Sequence, residues 1–159
     1  MALPRSFTLD ADKRARLGTQ FLRLARRYDR ALNERLAPFH LAPTHYEILK
    51  LLYAAPEYSR THSELAAAMG VTLPSITLAV QKLGALKLIG EQRGEDRRRR
   101  VVSLTVKGAE FLGPLYDAHE RFAEALFSAI PEKSAHAVEG AIEALLVRLT
   151  ALEAPAATA

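Results

Sequence analysis

Two helices joined by only three or four residues leave a chain few ways to turn, and residues 61–89, THSELAAAMGVTLPSITLAVQKLGALKLI, are spelled for that arrangement. Thr61 and Glu64 stand at capping-box spacing, where a hydroxyl and a carboxylate each satisfy an N–H that the first helical turn leaves open. Leu65 and Met69 share a face, and Gly70 falls where a helix stops in the left-handed conformation. Thr72 is placed to cap a second helix, with Pro74 tolerated in its first turn and Ile76, Val80 and Leu83 as its buried stripe. Ala66 lets the two helices approach closely. The spacing predicts a helix-turn-helix; an ordinary helical hairpin in a bundle fits the same periodicity.

The residues that follow discriminate between the two. Leu88 to Arg93 read as a short strand, Gly94 to Arg99 as a polar turn, and Val101 to Thr105 alternate as a returning strand. The hairpin would carry Arg97, Arg98, Arg99 and Arg100 at its tip, an accumulation of like charge whose repulsion something outside the fold must offset. A hairpin after a helix-turn-helix is a wing. An arginine-loaded tip suits the minor groove of DNA, whose negative potential attracts guanidinium.

Long amphipathic patterns flank this segment. From Asp10 to Leu36, Leu17, Phe21, Leu24, Tyr28, Leu32 and Leu36 form one stripe. The other face carries Lys13, Arg14, Arg16, Arg23, Arg26, Arg27, Arg30 and Arg35 against Asp12, Asp29 and Glu34, a local excess of +5 that reads as a solvated face. A second helix runs to about Ala54, capped by Thr44 with Glu47 or starting with Pro43 in its first position, and turns Ile48, Leu49 and Leu52 inward. Behind the hairpin, Lys107 to Ser128 repeats Phe111, Leu115, Phe122 and Leu126, with a kink expected at Gly113-Pro114. Pro131 to Leu152 repeats Val138, Ile142, Leu145, Leu149 and Leu152, a stripe suited to a two-fold dimer interface, and 153–159 reads as a frayed end.

Composition narrows the functional classes. The 159 residues, 49% hydrophobic and 25% charged, suit one domain with appended helices, and the net charge of +4 permits an anionic partner without demanding one. With no cysteine there is no disulfide, thiolate zinc site, cysteine nucleophile or thiol sensor. The opening residues lack an apolar signal region, and no apolar run approaches the ~18 residues of a membrane span, so a cytoplasmic location is expected. His40, His45, His62, His119 and His136 sit in no catalytic motif, and His62-Ser63-Glu64 is accounted for as the first turn of a capped helix. An enzyme is therefore not expected, nor a cofactor. The alternative kept open is a metal-responsive regulator using His40, His45 and His119.

Thr61 to Gly108 resembles the winged helix-turn-helix of the multiple antibiotic resistance regulator (MarR) family. The resemblance rests on Glu64-Leu65-Ala66, Gly70-Val71-Thr72, Ser75-Ile76-Thr77, Asp96-Arg97-Arg98 and Ser103 to Gly108, and the flanking helices extend it to nearly the whole chain. It implies a mainly α fold with a β-hairpin wing, a DNA-binding region over 43–106, and dimerisation helices over 10–36 and 107–152. It also implies a homodimeric, double-stranded-DNA-binding repressor in which Asp96 holds Arg98 for the minor groove. The DNA-binding set expected is Thr72, Ser75, Thr77, Leu78, Gln81, Lys82, Arg97, Arg98 and Arg99. Family members often carry arginine where Leu73 and Leu78 stand. Leucine cannot make a bidentate guanine contact but can meet a thymine methyl, so recognition leaning to A·T pairs and partly to shape is expected, with Gln81 able to read adenine. The resemblance further implies release by a small aromatic or phenolic anion, for which Tyr28, His45, Tyr46 and His119 are the candidates.

Overall fold

A computed structural model describes residues 13–93 and 100–153. Its elements are α1 (Lys13–Leu36), α2 (Pro43–Tyr53), β1 (Ser59–Thr61), α3 (His62–Met69), α4 (Leu73–Ala85), β2 (Ile89–Arg93), β3 (Arg100–Leu104), α5 (Val106–Phe127) and α6 (Glu132–Glu153). Two compact units divide between His119 and Glu120, inside α5.

The first unit holds the core. Leu36, Ile48, Leu52, Leu65, Leu83 and Leu115 are fully enclosed, drawn from every helix of the unit. These are the inward positions of the periodic stripes, and burying each is worth ~1.5–3 kcal/mol of apolar transfer. Of the two starts open to α2, the chain takes the one at Pro43, which leaves Thr44 inside the helix. The His45 ring supplies the cap, its Nδ1 accepting the Ala42 N–H at 2.9 Å.

The sheet is antiparallel in the order β1-β3-β2, with Ser59 opposite Ser103 and Ile89 opposite Leu104. β1 is an addition to the expected hairpin. Three residues carry no readable alternation, and what makes them a strand is β3 offering its free edge, joined by a 2.8 Å contact between the Ser59 and Ser103 hydroxyls.

The hairpin is moored to α5. Thr105 Oγ1 donates toward the carbonyls of Lys87 and Leu88, both at 2.9 Å, and accepts the Gly108 N–H at 3.0 Å, so Thr105 caps α5. Gly108 is required here. A β-carbon at that position would lie 2.0 Å from the Leu88 carbonyl oxygen, which no side chain tolerates.

α5 continues as one helix through Pro114, with Gly108, Leu112 and Leu115 buried and Phe111 partly so. In the second unit no residue of α6 is buried. Leu145, Leu149 and Leu152, the later members of its expected stripe, stand 57%, 52% and 65% exposed. Glu153, expected in the frayed end, is still helical, and the rest of that expectation, 154–159, lies outside the described residues. No single helix among the described residues is long and apolar enough to cross a membrane.

Candidate nucleic-acid interface

The turn between α3 and α4 is built as its sequence dictates. Thr61 Oγ1 accepts the Glu64 N–H at 3.2 Å, and the Glu64 carboxylate accepts the Thr61 N–H at 2.7 Å, completing the capping box. Gly70 takes the left-handed conformation at φ 62°, and the two helices then diverge at 113°. That angle is the helix-turn-helix crossing, not the near-antiparallel one of a bundle hairpin. At the start of α4, Thr72 occupies the cap position, but its hydroxyl meets Ser75 Oγ at 2.9 Å instead of a backbone N–H.

α4 sorts its residues sharply between two faces. Ile76, Ala79, Val80 and Leu83 are buried, which fixes the helix by its inner side. Ser75, Leu78, Gln81 and Lys82 are exposed as expected, Leu78 at 68%. Thr77 departs from the expectation of an exposed polar contact. It is half-buried, and its hydroxyl donates to the Leu73 carbonyl at 3.0 Å, the usual internal outlet for a threonine within a helix.

Beside that outer face lies a cavity of about 630 Å³ lined by α3's first residues, by Leu73, Thr77 and Gln81 of α4, and by Arg100 of β3. One carboxylate oxygen of Glu91, on β2, lies 3.2 Å from Arg100 Nη1 and 3.3 Å from His62 Nε2. The Arg100 contact is hydrogen-bonded; the His62 one is a close approach without the alignment of a hydrogen bond. Glu91 thus ties the strands of the hairpin to the front of α3, with Arg100 at the edge of the cavity. The place of His62 escapes a reading of the sequence, and Arg100, expected at the tip, stands instead at the start of β3. A lone histidine in a capped turn looks solvated, and only the folded β2 shows that it is buried against a carboxylate.

Asp96, Arg97, Arg98 and Arg99 lie outside the described residues. The strands leading to them are in register, with Arg93 paired to Arg100.

The residues considered for a small molecule separate into two settings. Tyr28 Oη lies 3.0 Å from His119 Nε2, the Tyr46 and His119 rings sit 5.0 Å apart, and Lys50 Nζ lies over the Tyr46 ring, 5.4 Å from its centroid. Burial raises the Tyr28 hydroxyl's pKa above its ordinary value. His45 is engaged elsewhere, at the α2 cap, and burial together with the positive charge of Lys82 lowers its pKa. His40 stands exposed in a left-handed turn at φ 58°. Among the described residues no three histidines or acids are placed to hold a metal ion, so the metal-responsive alternative on His40, His45 and His119 is not supported.

These features define a class: a winged helix-turn-helix with its second helix turned outward beside the wing. No family model matches the sequence. Solved structures do match the fold. The transcriptional regulator BldR from Sulfolobus solfataricus superposes with a TM-score of 0.79 at 25% identity, covering 89% of this chain and 99% of that one. AbsC, a MarR family transcriptional regulator from Streptomyces coelicolor, gives 0.81 at 20% identity over 91% and 98%. The S. aureus MepR–DNA complex gives 0.77 at 20% identity over 84% and 97%. The chain has the fold of the MarR-family transcriptional regulators.

Proposed function

We propose that this chain is a double-stranded-DNA-binding regulator of transcription, acting as a homodimeric repressor that a small aromatic or phenolic anion releases. The observation that carries the reading is the outward face of α4. Its inner side is locked by four buried residues, while Ser75, Leu78, Gln81 and Lys82 are exposed with no part in the core, and Gln81 shares a cavity wall with Arg100 of β3. A helix so placed can enter the major groove, where Gln81 pairs with adenine and Leu78 meets thymine methyls. The apolar stripe of α6 supports a second copy, which would present a second α4 to the next half-site. The Tyr28, Tyr46 and His119 grouping supports the effector reading, because it joins aromatic faces to polar atoms in one place.

Footprinting of genomic fragments, followed by fluorescence anisotropy on the protected sequence, tests the reading. A specific, A·T-leaning footprint is expected, and an absence of duplex binding refutes it. In the same assay Asp96→Ala is expected to weaken binding about tenfold, on the order of the 1.4 kcal/mol that a held guanidinium would lose, although it removes a negative charge facing DNA. Tighter binding by Asp96→Ala would show that the wing acts by bulk charge alone.

A further inference from the structure

One face of α1 carries charge that the fold does not use. Arg16, Arg23, Arg26, Arg27 and Arg30 are all exposed. At about 100° per residue they fall within an arc of about 100°, centred about 180° from Tyr28, Leu32 and Leu36, the residues by which α1 packs. None of the five pairs with another described residue. From Arg16 to Arg30 the one acid is Asp29, which lies off the arc and is bonded to Asn33 at 3.1 Å. Glu34 rejoins the arc only a turn further on.

A solvated face ordinarily mixes its signs. Here Arg23, Arg26, Arg27 and Arg30 form like-charge neighbours at i,i+3 and i,i+4, contacts that destabilise a helix. All are arginine, the cation that grips phosphate through two parallel N–H bonds. We infer that this stripe is a second polyanion surface that binds duplex DNA along its backbone, separate from the face of α4. The kind of polyanion rests on the DNA-binding reading above. The stripe is about 21 Å long, and a duplex of that length presents about 12 phosphate charges in a regular array. A membrane surface fits less well. A basic helix lying on lipid needs its apolar side free to insert along its length. That side of α1 is closed in its last turns, where Leu32 and Leu36 are buried and Tyr28 is partly so, and open only earlier, where Leu17, Phe21 and Leu24 stand 62%, 50% and 50% exposed.

The test compares wild type with Arg23→Gln/Arg26→Gln/Arg27→Gln/Arg30→Gln on a long random-sequence duplex across a salt titration. The variant is expected to lose two to four phosphate equivalents of salt dependence, a slope change of about 0.9 per equivalent, and at least about tenfold in low-salt affinity. Its melting temperature at low salt is expected to be no lower than wild type, since like-charge pairs are removed. The corresponding quadruple lysine variant keeps the charge and is expected to keep the slope. An unchanged slope in the glutamine variant overturns the inference, as does a lost slope in the lysine variant. Vesicles of phosphatidylglycerol are titrated in parallel; lipid binding that the glutamine variant loses while its duplex slope stays the same assigns the stripe to membrane and overturns the inference. Wild type that binds specific DNA with an unaltered variant slope sinks the stripe alone, while wild type that binds no duplex sinks both readings.

Discussion

α1 and α4 divide between them two properties usually found on one DNA-binding helix. α4, the helix proposed to read bases, has a single cation in 13 residues, Lys82, and exposes Leu73 and Leu78. α1 sets five arginines on one exposed face, while on the opposite side Leu32 and Leu36 are buried, Tyr28 is partly so, and Leu17, Phe21 and Leu24 stand exposed. Cationic attraction to phosphate is long-ranged and blind to sequence, whereas apolar and amide contacts act only at van der Waals or hydrogen-bond range and differ from base to base. A chain that separates them gains affinity without loading its reading helix with indiscriminate charge. On the division we propose for this chain, selectivity would belong to α4 and the wing, and strength of attraction to α1.

The comparison breaks most completely if α4 reads alone. Leu145→Asp/Leu149→Asp places charge in the apolar stripe of α6 and is expected to yield a monomer. Specific affinity should then fall by about 100-fold or more, because the second half-site no longer binds as part of one molecule, while random-sequence binding falls much less. Sedimentation and anisotropy on the two duplexes measure this. A stable monomer with undiminished specific binding would refute the paired arrangement.

Leu78→Arg tests the same division from the other side, with a smaller effect. A guanidinium on the outer face of α4 is expected to tighten binding to random duplex several-fold and to steepen the salt dependence by about one phosphate equivalent. The ratio of specific to random affinity should narrow. If that ratio widens instead, charge on α4 contributes to reading and the two helices are not specialised.

The smallest effect is a pH dependence around Lys82. His45 has its pKa lowered by burial and by Lys82, so folding disfavours its proton. The stability it contributes is present above the ordinary histidine value of ~6.5 and is lost as pH falls through that value toward the lower folded one. Between pH 7.5 and 5.5, urea unfolding is expected to show a larger loss for wild type than for His45→Gln. Equal losses would mean that burial and α4's cation together disfavour the His45 proton too weakly to matter.

The helix-turn-helix was legible because every step of it is local. A cap lies three residues from its partner, the glycine supplies its own left-handed turn, and the buried stripe of α4 repeats within one helix. The start of α2 was legible only as two alternatives, because Pro43 and Thr44 both open helices and the choice rests on where the His45 ring finds a donor. Thr77 looked exposed by its position in the pattern, yet it is half-buried and its hydroxyl bonds back to Leu73. β1 was not legible at all, since its three residues become a strand only beside β3.

Periodicity, capping and turn chemistry thus determined the helices, the hairpin and the class of fold, because those signals are written within a few residues of where they act. Tertiary structure alone decided which distant groups share a place. It brought Glu91 between His62 and Arg100, joined Tyr28 and Tyr46 to His119 while leaving His45 at its cap, and kept the proposed metal set apart. It also left five arginines of α1 facing outward without partners among the described residues. Such meetings depend on the packing of elements far apart in the chain, and a one-dimensional pattern carries no record of them.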